Sequence, residues 1–102
     1  MLSCKPFVIE LEGDINEVLN VARRIAEKND INLTGDNTRG SFDTGNTKGM
    51  YQIDQNKMTI TITSKLYKSY CDNLQEILTD LFTGNESRDY KKIFGYMNLG
   101  RY

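Results

Sequence analysis

The stretch Lys48–Lys65, KGMYQIDQNKMTITITSK, decides the fold because its apolar and polar residues alternate with a period of two. The apolar positions are Tyr51, Ile53, Met58, Ile60 and Ile62. Thr59, Thr61 and Thr63 alternate with Met58, Ile60 and Ile62, and β-branched residues suit the exposed face of a pleated sheet. A turn at Asp54–Lys57, with Asn56 tolerating positive φ, connects the two halves. The stretch therefore predicts a β-hairpin with one buried and one solvent-exposed face.

A strand and a helix are predicted before this hairpin. Phe7, Ile9 and Leu11 alternate with more polar neighbours, which is typical of a strand. Gly13 ends that pattern, and Asp14 is a plausible N-cap for a helix. The next apolar residues recur at spacings of three and four, so they share one helical face. They are Ile15, Val18, Leu19, Ala22, Ile25 and Ala26.

Two weaker strands lie between this helix and the hairpin. Ile31 and Leu33 indicate a short strand, and the segment from Thr38 to Asp43 predicts another with Phe42 as its single core residue. After Lys65 the apolar period becomes helical again, with Gly84 suited to the position just beyond the helix end. The apolar stripe of this second helix is Tyr70, Leu74, Ile77, Leu78, Leu81 and Phe82.

The order of these elements predicts an α+β fold of the type β-α-β(4)-α. Short connections make the four consecutive strands an antiparallel meander, and both helices must cover the one apolar face of the sheet. This order matches that of the TATA-binding-protein half-repeat and of small helix-grip domains. We expect residues 1–84 to form the α+β domain and residues 85–102 to form a C-terminal amphipathic extension with a possible third helix.

The composition argues against several classes of function. A chain of 102 residues with a net charge of −1 and a sequence pI near 5.4 has no general positive field for nucleic acid or anionic lipid. It contains no histidine, the most frequent general base, and its carboxylates fall mostly at turns and caps. We therefore expect no catalytic activity, no metal site and no cofactor.

The cysteines and the apolar segments favour a cytoplasmic protein. The sequence has only two cysteines, Cys4 and Cys71, and they are far apart along the chain. We therefore expect two reduced thiols, with Cys71 as a small buried apolar residue. The first residues carry charges within their apolar run, unlike a signal peptide. The sequence also lacks the long apolar run of a membrane-spanning helix.

The C-terminal segment carries a third amphipathic pattern, in which Tyr90, Ile93, Phe94 and Met97 recur at helical spacing after a possible cap at Ser87. Two interpretations remain open. The stripe packs on the protein's own sheet or helices, or it forms an apolar and aromatic surface for another chain. In the second interpretation the contact residues are Tyr90, Ile93, Phe94 and Met97, with Tyr96, Leu99 and Tyr102 extending the surface.

The run from Gly45 to Leu66, GNTKGMYQIDQNKMTITITSKL, with an amphipathic helix on either side, resembles the polyhydroxyalkanoic-acid system family of small proteins. Gly45 and Gly49 match the closely spaced glycines of that family, and the likeness in pattern covers about residues 14–82. The resemblance implies association with polyester storage granules. It supplies no catalytic motif, and residues 85–102 have no counterpart in it.

These observations predict a non-catalytic binding or interaction domain that associates with itself or with another protein. Two alternatives remain. An apolar small molecule could bind between the helices and the sheet, or nucleic acid could bind the open sheet face. The acidic pI and the absence of a stripe of basic and aromatic residues argue against the last alternative.

Overall fold

The structure, a computed structural model, describes residues 2–66 and 68–99. Its strands are β1 (Leu2–Ser3), β2 (Phe7–Glu10), β3 (Asn32–Gly35), β4 (Arg39–Asp43), β5 (Lys48–Asp54), β6 (Lys57–Ile62) and β7 (Lys65–Leu66). Its helices are α1 (Ile15–Lys28), α2 (Lys68–Phe82) and α3 (Tyr90–Leu99).

Five of these strands form one antiparallel sheet in the order β2-β6-β5-β4-β3. The consecutive strands β3 to β6 pair as a meander, and β2 lies beside β6, although α1 and three strands separate the two along the chain. The predicted α+β fold with an antiparallel sheet is confirmed. The sequence did not reveal the separate two-stranded ladder of β1 and β7, in which Leu2 is opposite Leu66.

The alternation of apolar and polar residues in the β5–β6 hairpin determines which side chains face the helices. Ile60 is opposite Phe7 on one side and Tyr51 on the other, and this row belongs to the buried face. The next row along the strands places Thr61 opposite Met50 on the outer face. The predicted register is therefore confirmed, with Ile60 in the core and its neighbour Thr61 only partly buried.

Three aromatic rings connect the sheet to α2. The ring of Phe82 lies 5.9 Å from that of Tyr51 and 6.4 Å from that of Phe42, measured between centroids. Space for Tyr51 comes from glycine on the neighbouring strand, since a Cβ added at Gly40 would lie 2.5 Å from its Cε2. The Tyr51 hydroxyl donates a hydrogen bond of 2.7 Å to the carbonyl of Asp36, which satisfies the polar end of this buried ring.

The predicted helix caps and the predicted hairpin turn agree with the structure in part. The Asp14 carboxylate accepts a hydrogen bond of 2.9 Å from the Asn16 amide, so the predicted N-cap of α1 is confirmed. At the start of α3 the amide of Lys92 donates instead to Asp89, 3.0 Å away, and Ser87 is not the cap. In the β5–β6 turn it is Gln55 that has positive φ, at 59°, whereas Asn56 was predicted to adopt it. Gln55 is the first central residue, the position that a type II′ hairpin turn places at positive φ.

The two cysteines form a disulfide, so the prediction of two reduced thiols is wrong. The Cα atoms of Cys4 and Cys71 lie 5.4 Å apart, although 67 positions separate them in the sequence. Cys4 follows β1 and Cys71 lies in the first turns of α2, so pairing of β1 with β7 brings the two segments together. Separation along the chain does not limit which cysteines meet in the folded molecule.

We predict that removing the disulfide with Cys4→Ala and Cys71→Ser lowers the free energy of unfolding by about 2–4 kcal/mol. The reason is that the cross-link restricts a long loop of the unfolded chain. Urea denaturation of both proteins, with and without a reducing agent, measures the difference. The reductant should lower the stability of the wild type and leave that of the variant unchanged, and a wild type insensitive to complete reduction would contradict the prediction.

We also predict that Ile60→Asp unfolds the domain, because it places an unpaired carboxylate in the core at a cost of several kcal/mol. Thr61→Asp, one residue further along the same strand, should retain the fold because this side chain belongs to the outer face. Thermal unfolding followed by circular dichroism compares the two variants. Similar melting curves would show that the strand register is different.

Candidate functional site

The outer face of the five-stranded sheet is a regular surface that α1, α2 and α3 leave uncovered. Two large apolar side chains are exposed on it, with Val8 54% and Met50 50% accessible to solvent. Thr59 and Thr61 of β6 lie between their strands, with Thr59 opposite Val8 and Thr61 opposite Met50. We call this surface the open face. Its residues are Val8, Glu10, Asn32, Thr34, Arg39, Ser41, Asp43, Lys48, Met50, Gln52, Asp54, Lys57, Thr59 and Thr61.

The charges of the open face lie at its two ends and on one side, and they balance. Lys57 is opposite Glu10 on β2 and opposite Asp54 on β5, so the charges alternate across three strands. At the other end Lys48 is opposite Asp43, while Arg39 lies on the side of the face, opposite Gln52. Three acidic and three basic residues therefore surround a centre made of neutral side chains.

The structure buries two of the four predicted contact residues of the C-terminal segment. Tyr90 and Phe94 belong to the hydrophobic core, with 0% and 3% of their surfaces exposed, and Ile93 packs against the same core. Met97 lies outside the residues whose side chains the structure describes. Burial removes Tyr90 and Phe94 from the surface of the folded chain. The interpretation in which the stripe packs on the protein's own core accounts for both of them.

Polar contacts hold α3 and the segment before it against the domain. The buried Asn46 side chain, in the turn between β4 and β5, donates a hydrogen bond to the carbonyl of Phe94. Arg88 forms salt bridges with Asp80 at 2.5 Å and with Glu76 at 3.0 Å, both on α2. These ion pairs are partly exposed, so we attribute the attachment mainly to the burial of the two aromatic rings.

Cavities among the described residues lie at the surface and have charged walls. One, of about 320 Å³, is lined by Glu10, Leu11, Glu12, Val18, Phe82 and Thr83. Another, of about 290 Å³, lies between the end of α1, the β4–β5 turn and α3, and the salt bridge of Lys91 with Asp30 is at its rim. The space between the sheet and α2 is filled by fully buried side chains that include Tyr51, Met58, Leu74, Leu78 and Phe82.

The titratable groups with shifted pKa values have structural explanations. Backbone hydrogen bonds from Arg39 and Thr38 lower the pKa of the Asp36 carboxylate, which caps the β3–β4 turn. Burial raises the pKa of Tyr51, and burial together with the negative charge of Asp80 raises that of Tyr90 to about 12. Within the described part of the chain, no group of three or more His, Cys, Asp or Glu residues is placed to hold a metal ion.

Comparison of this chain with protein-family models, with curated proteins and with solved structures found no match. The resemblance to the granule-associated family stays a prediction, and the likeness to the TATA-binding protein is limited to the order of elements. None of the helices in residues 2–66 and 68–99 is both long enough and apolar enough to span a membrane.

We predict that the Tyr90 hydroxyl makes folding sensitive to alkaline pH. Because its pKa rises from 10.0 to about 12 on folding, its contribution to stability is complete below pH 10 and is lost as the pH rises through 12. Urea denaturation across this range should show a steeper loss of stability for the wild type than for Tyr90→Phe. At neutral pH the variant should lose about 1 kcal/mol, because the 2.6 Å hydrogen bond to the Asn85 carbonyl is absent. Parallel pH profiles would contradict the assignment.

Proposed function

We propose that this protein is a non-catalytic interaction module that binds another polypeptide through the open face. The observation that carries the proposal is the exposure of Val8 and Met50 on a sheet face that the three helices leave uncovered. The opposite face of the same sheet is packed against buried residues of α1, α2 and α3. Val8 and Met50 share this face with Thr59 and Thr61, which lie between their strands. An exposed apolar patch with a polar rim is typical of an interaction site.

The distribution of side chains on the open face supports a polypeptide partner. Protein interfaces commonly have a centre depleted in charge and a polar rim. Here Thr59, Thr61, Gln52 and Met50 form the neutral centre, and the charged residues lie around it. Threonine side chains have few rotamers to lose on binding, and their hydroxyl groups can donate and accept hydrogen bonds.

The same surface is a poor match for nucleic acid. Phosphate backbones require an excess of Lys and Arg, whereas the open face carries three acidic and three basic residues. It also contains no Phe, Tyr or Trp on which bases could stack. The net charge of −1 gives no long-range attraction to a polyanion.

Binding of an apolar small molecule is also less well supported. Such sites are concave and mostly apolar. The buried rings of Tyr51 and Phe82 already occupy the space between helices and sheet, and the 320 Å³ cavity beside Phe82 has Glu10 and Glu12 in its wall.

The disulfide bears on where the module works. Structural disulfides persist mainly in oxidising compartments and are rare in the cytoplasm. The expectation of a cytoplasmic location depended in part on reduced thiols, which the bond between Cys4 and Cys71 replaces. We therefore propose an oxidising compartment as the place of action. The experiment with reductant described above measures how strongly the fold depends on this bond.

We predict that a photoreactive residue placed on the open face cross-links to another polypeptide in the native host. Met50 replaced by benzoylphenylalanine is the test position, because half of its side chain is exposed at the centre of the face. Gln75, exposed on the outer side of α2, is the matched control position. The expected result is a product of defined mass at Met50 only, with its partner identified by peptide mass spectrometry and with Thr59→Arg in the same chain preventing its formation.

Products that form equally at Met50 and Gln75 would reflect random collisions and would contradict the proposal. Absence of any product at Met50 would contradict it too. Circular dichroism of each variant shows that the fold is retained before cross-linking is interpreted.

A further inference from the structure

We propose that the partner bound by the open face is a second copy of the same chain, packed face to face about a two-fold axis. This inference rests on the proposed function, because it requires the open face to be the binding surface. Its basis is the pair of opposite charges formed by Lys57 on β6 and Asp54 on β5, which makes the face complementary to itself.

The register of the strands determines which residues meet in such a pair. A two-fold axis parallel to the strands and between β5 and β6 exchanges these strands and leaves each row of residues opposite the same row of the other copy. Lys57 of one copy then lies opposite Asp54 of the other, and the reverse contact occurs as well. Each opposite-charge contact is therefore made twice.

The centre of the face is also compatible with this arrangement. The axis places Thr61 of one copy opposite Met50 of the other, and Thr59 opposite Gln52. Contacts between a thioether and a methyl group, and between a hydroxyl and an amide, satisfy both the apolar and the polar atoms. In the row with Lys57 and Asp54, no two like charges of the described residues are placed opposite each other.

The size of the face indicates how strong the association is. The axis between β5 and β6 places β2, β6, β5 and β4 opposite strands of the other copy and leaves β3 outside the contact. Four strands at about 4.8 Å spacing and side-chain rows over about 20 Å give an area of about 400 Å² on each copy. The total of about 800 Å² is in the range of weak and transient interfaces. A net charge of −1 per chain adds little repulsion between the copies. We therefore expect a reversible dimer whose population depends on protein concentration.

Charge exchange across the interface tests the proposal with purified full-length protein. Sedimentation velocity over a range of concentrations should show a monomer–dimer equilibrium for the wild type. Asp54→Lys alone and Lys57→Glu alone should each weaken the association at least tenfold, because each places like charges opposite each other. An equimolar mixture of the two variants should restore it, because both contacts of the heterodimer then join opposite charges. Lys57 of the first variant lies opposite Asp54 of the second, and the lysine introduced at position 54 lies opposite the glutamate introduced at position 57. Native mass spectrometry distinguishes this heterodimer by its mass.

Glu27→Lys is the matched control for Asp54→Lys, because it makes the same change of charge on the exposed side of α1, away from the open face. It should leave the association unchanged. Thermal unfolding of all three variants checks that they fold.

The possible failures separate this inference from the proposed function. A wild type that stays monomeric, while Met50 cross-links to a different polypeptide, overturns the second copy as partner and leaves the open face as the binding surface. A monomer without cross-links overturns both proposals. A dimer that is insensitive to Asp54→Lys and to Lys57→Glu overturns the arrangement. The arrangement is also overturned if mixing with Lys48→Glu, and not with Lys57→Glu, restores the association of Asp54→Lys.

Discussion

The packing of Phe82 against Tyr51 and Phe42 is the contact on which the rest of the architecture depends. Phe82 is the last residue of α2, and the two partner rings stand on neighbouring strands of the sheet. The sheet accommodates these rings only because Gly40 and Gly49 lack side chains beside them. This contact fixes the position of α2 over one side of the sheet. The other side of the sheet has no covering layer of helices, and that side is the open face.

Much of this architecture could be predicted from periodicity, and the weakest predictions have a specific cause. The β5–β6 hairpin and α1 carry regular apolar patterns, so their faces were evident from sequence. In β4, however, Gly40 occupies an inward position, so an alternation pattern shows a gap there and only Phe42 marks the strand. Glycines that accommodate a neighbour's ring are part of the core, although they carry no apolar signal of their own.

The candidate site was only partly predictable for a related reason. The threonines of β6 showed that one sheet face is exposed, and the alternation of β5 places Met50 on that same face, but neither pattern shows that no other element of the fold covers it. The pattern in residues 90–97 predicted a helix, yet it could not show that Tyr90 and Phe94 pack on the protein's own core. Contacts between distant surfaces depend on the whole fold, so a local sequence window does not show them. The same is true of the bond between Cys4 and Cys71.

The disulfide also changes how the chain responds to a protease. It closes residues 4–71 into a covalent ring that contains α1 and all five strands of the main sheet, whereas α3 and most of α2 lie outside it. A single cut in any loop of the ring leaves both fragments joined through sulfur. A cut beyond Cys71 can release a C-terminal piece. Every strand that forms the open face therefore remains in one covalent molecule after a nick within the ring.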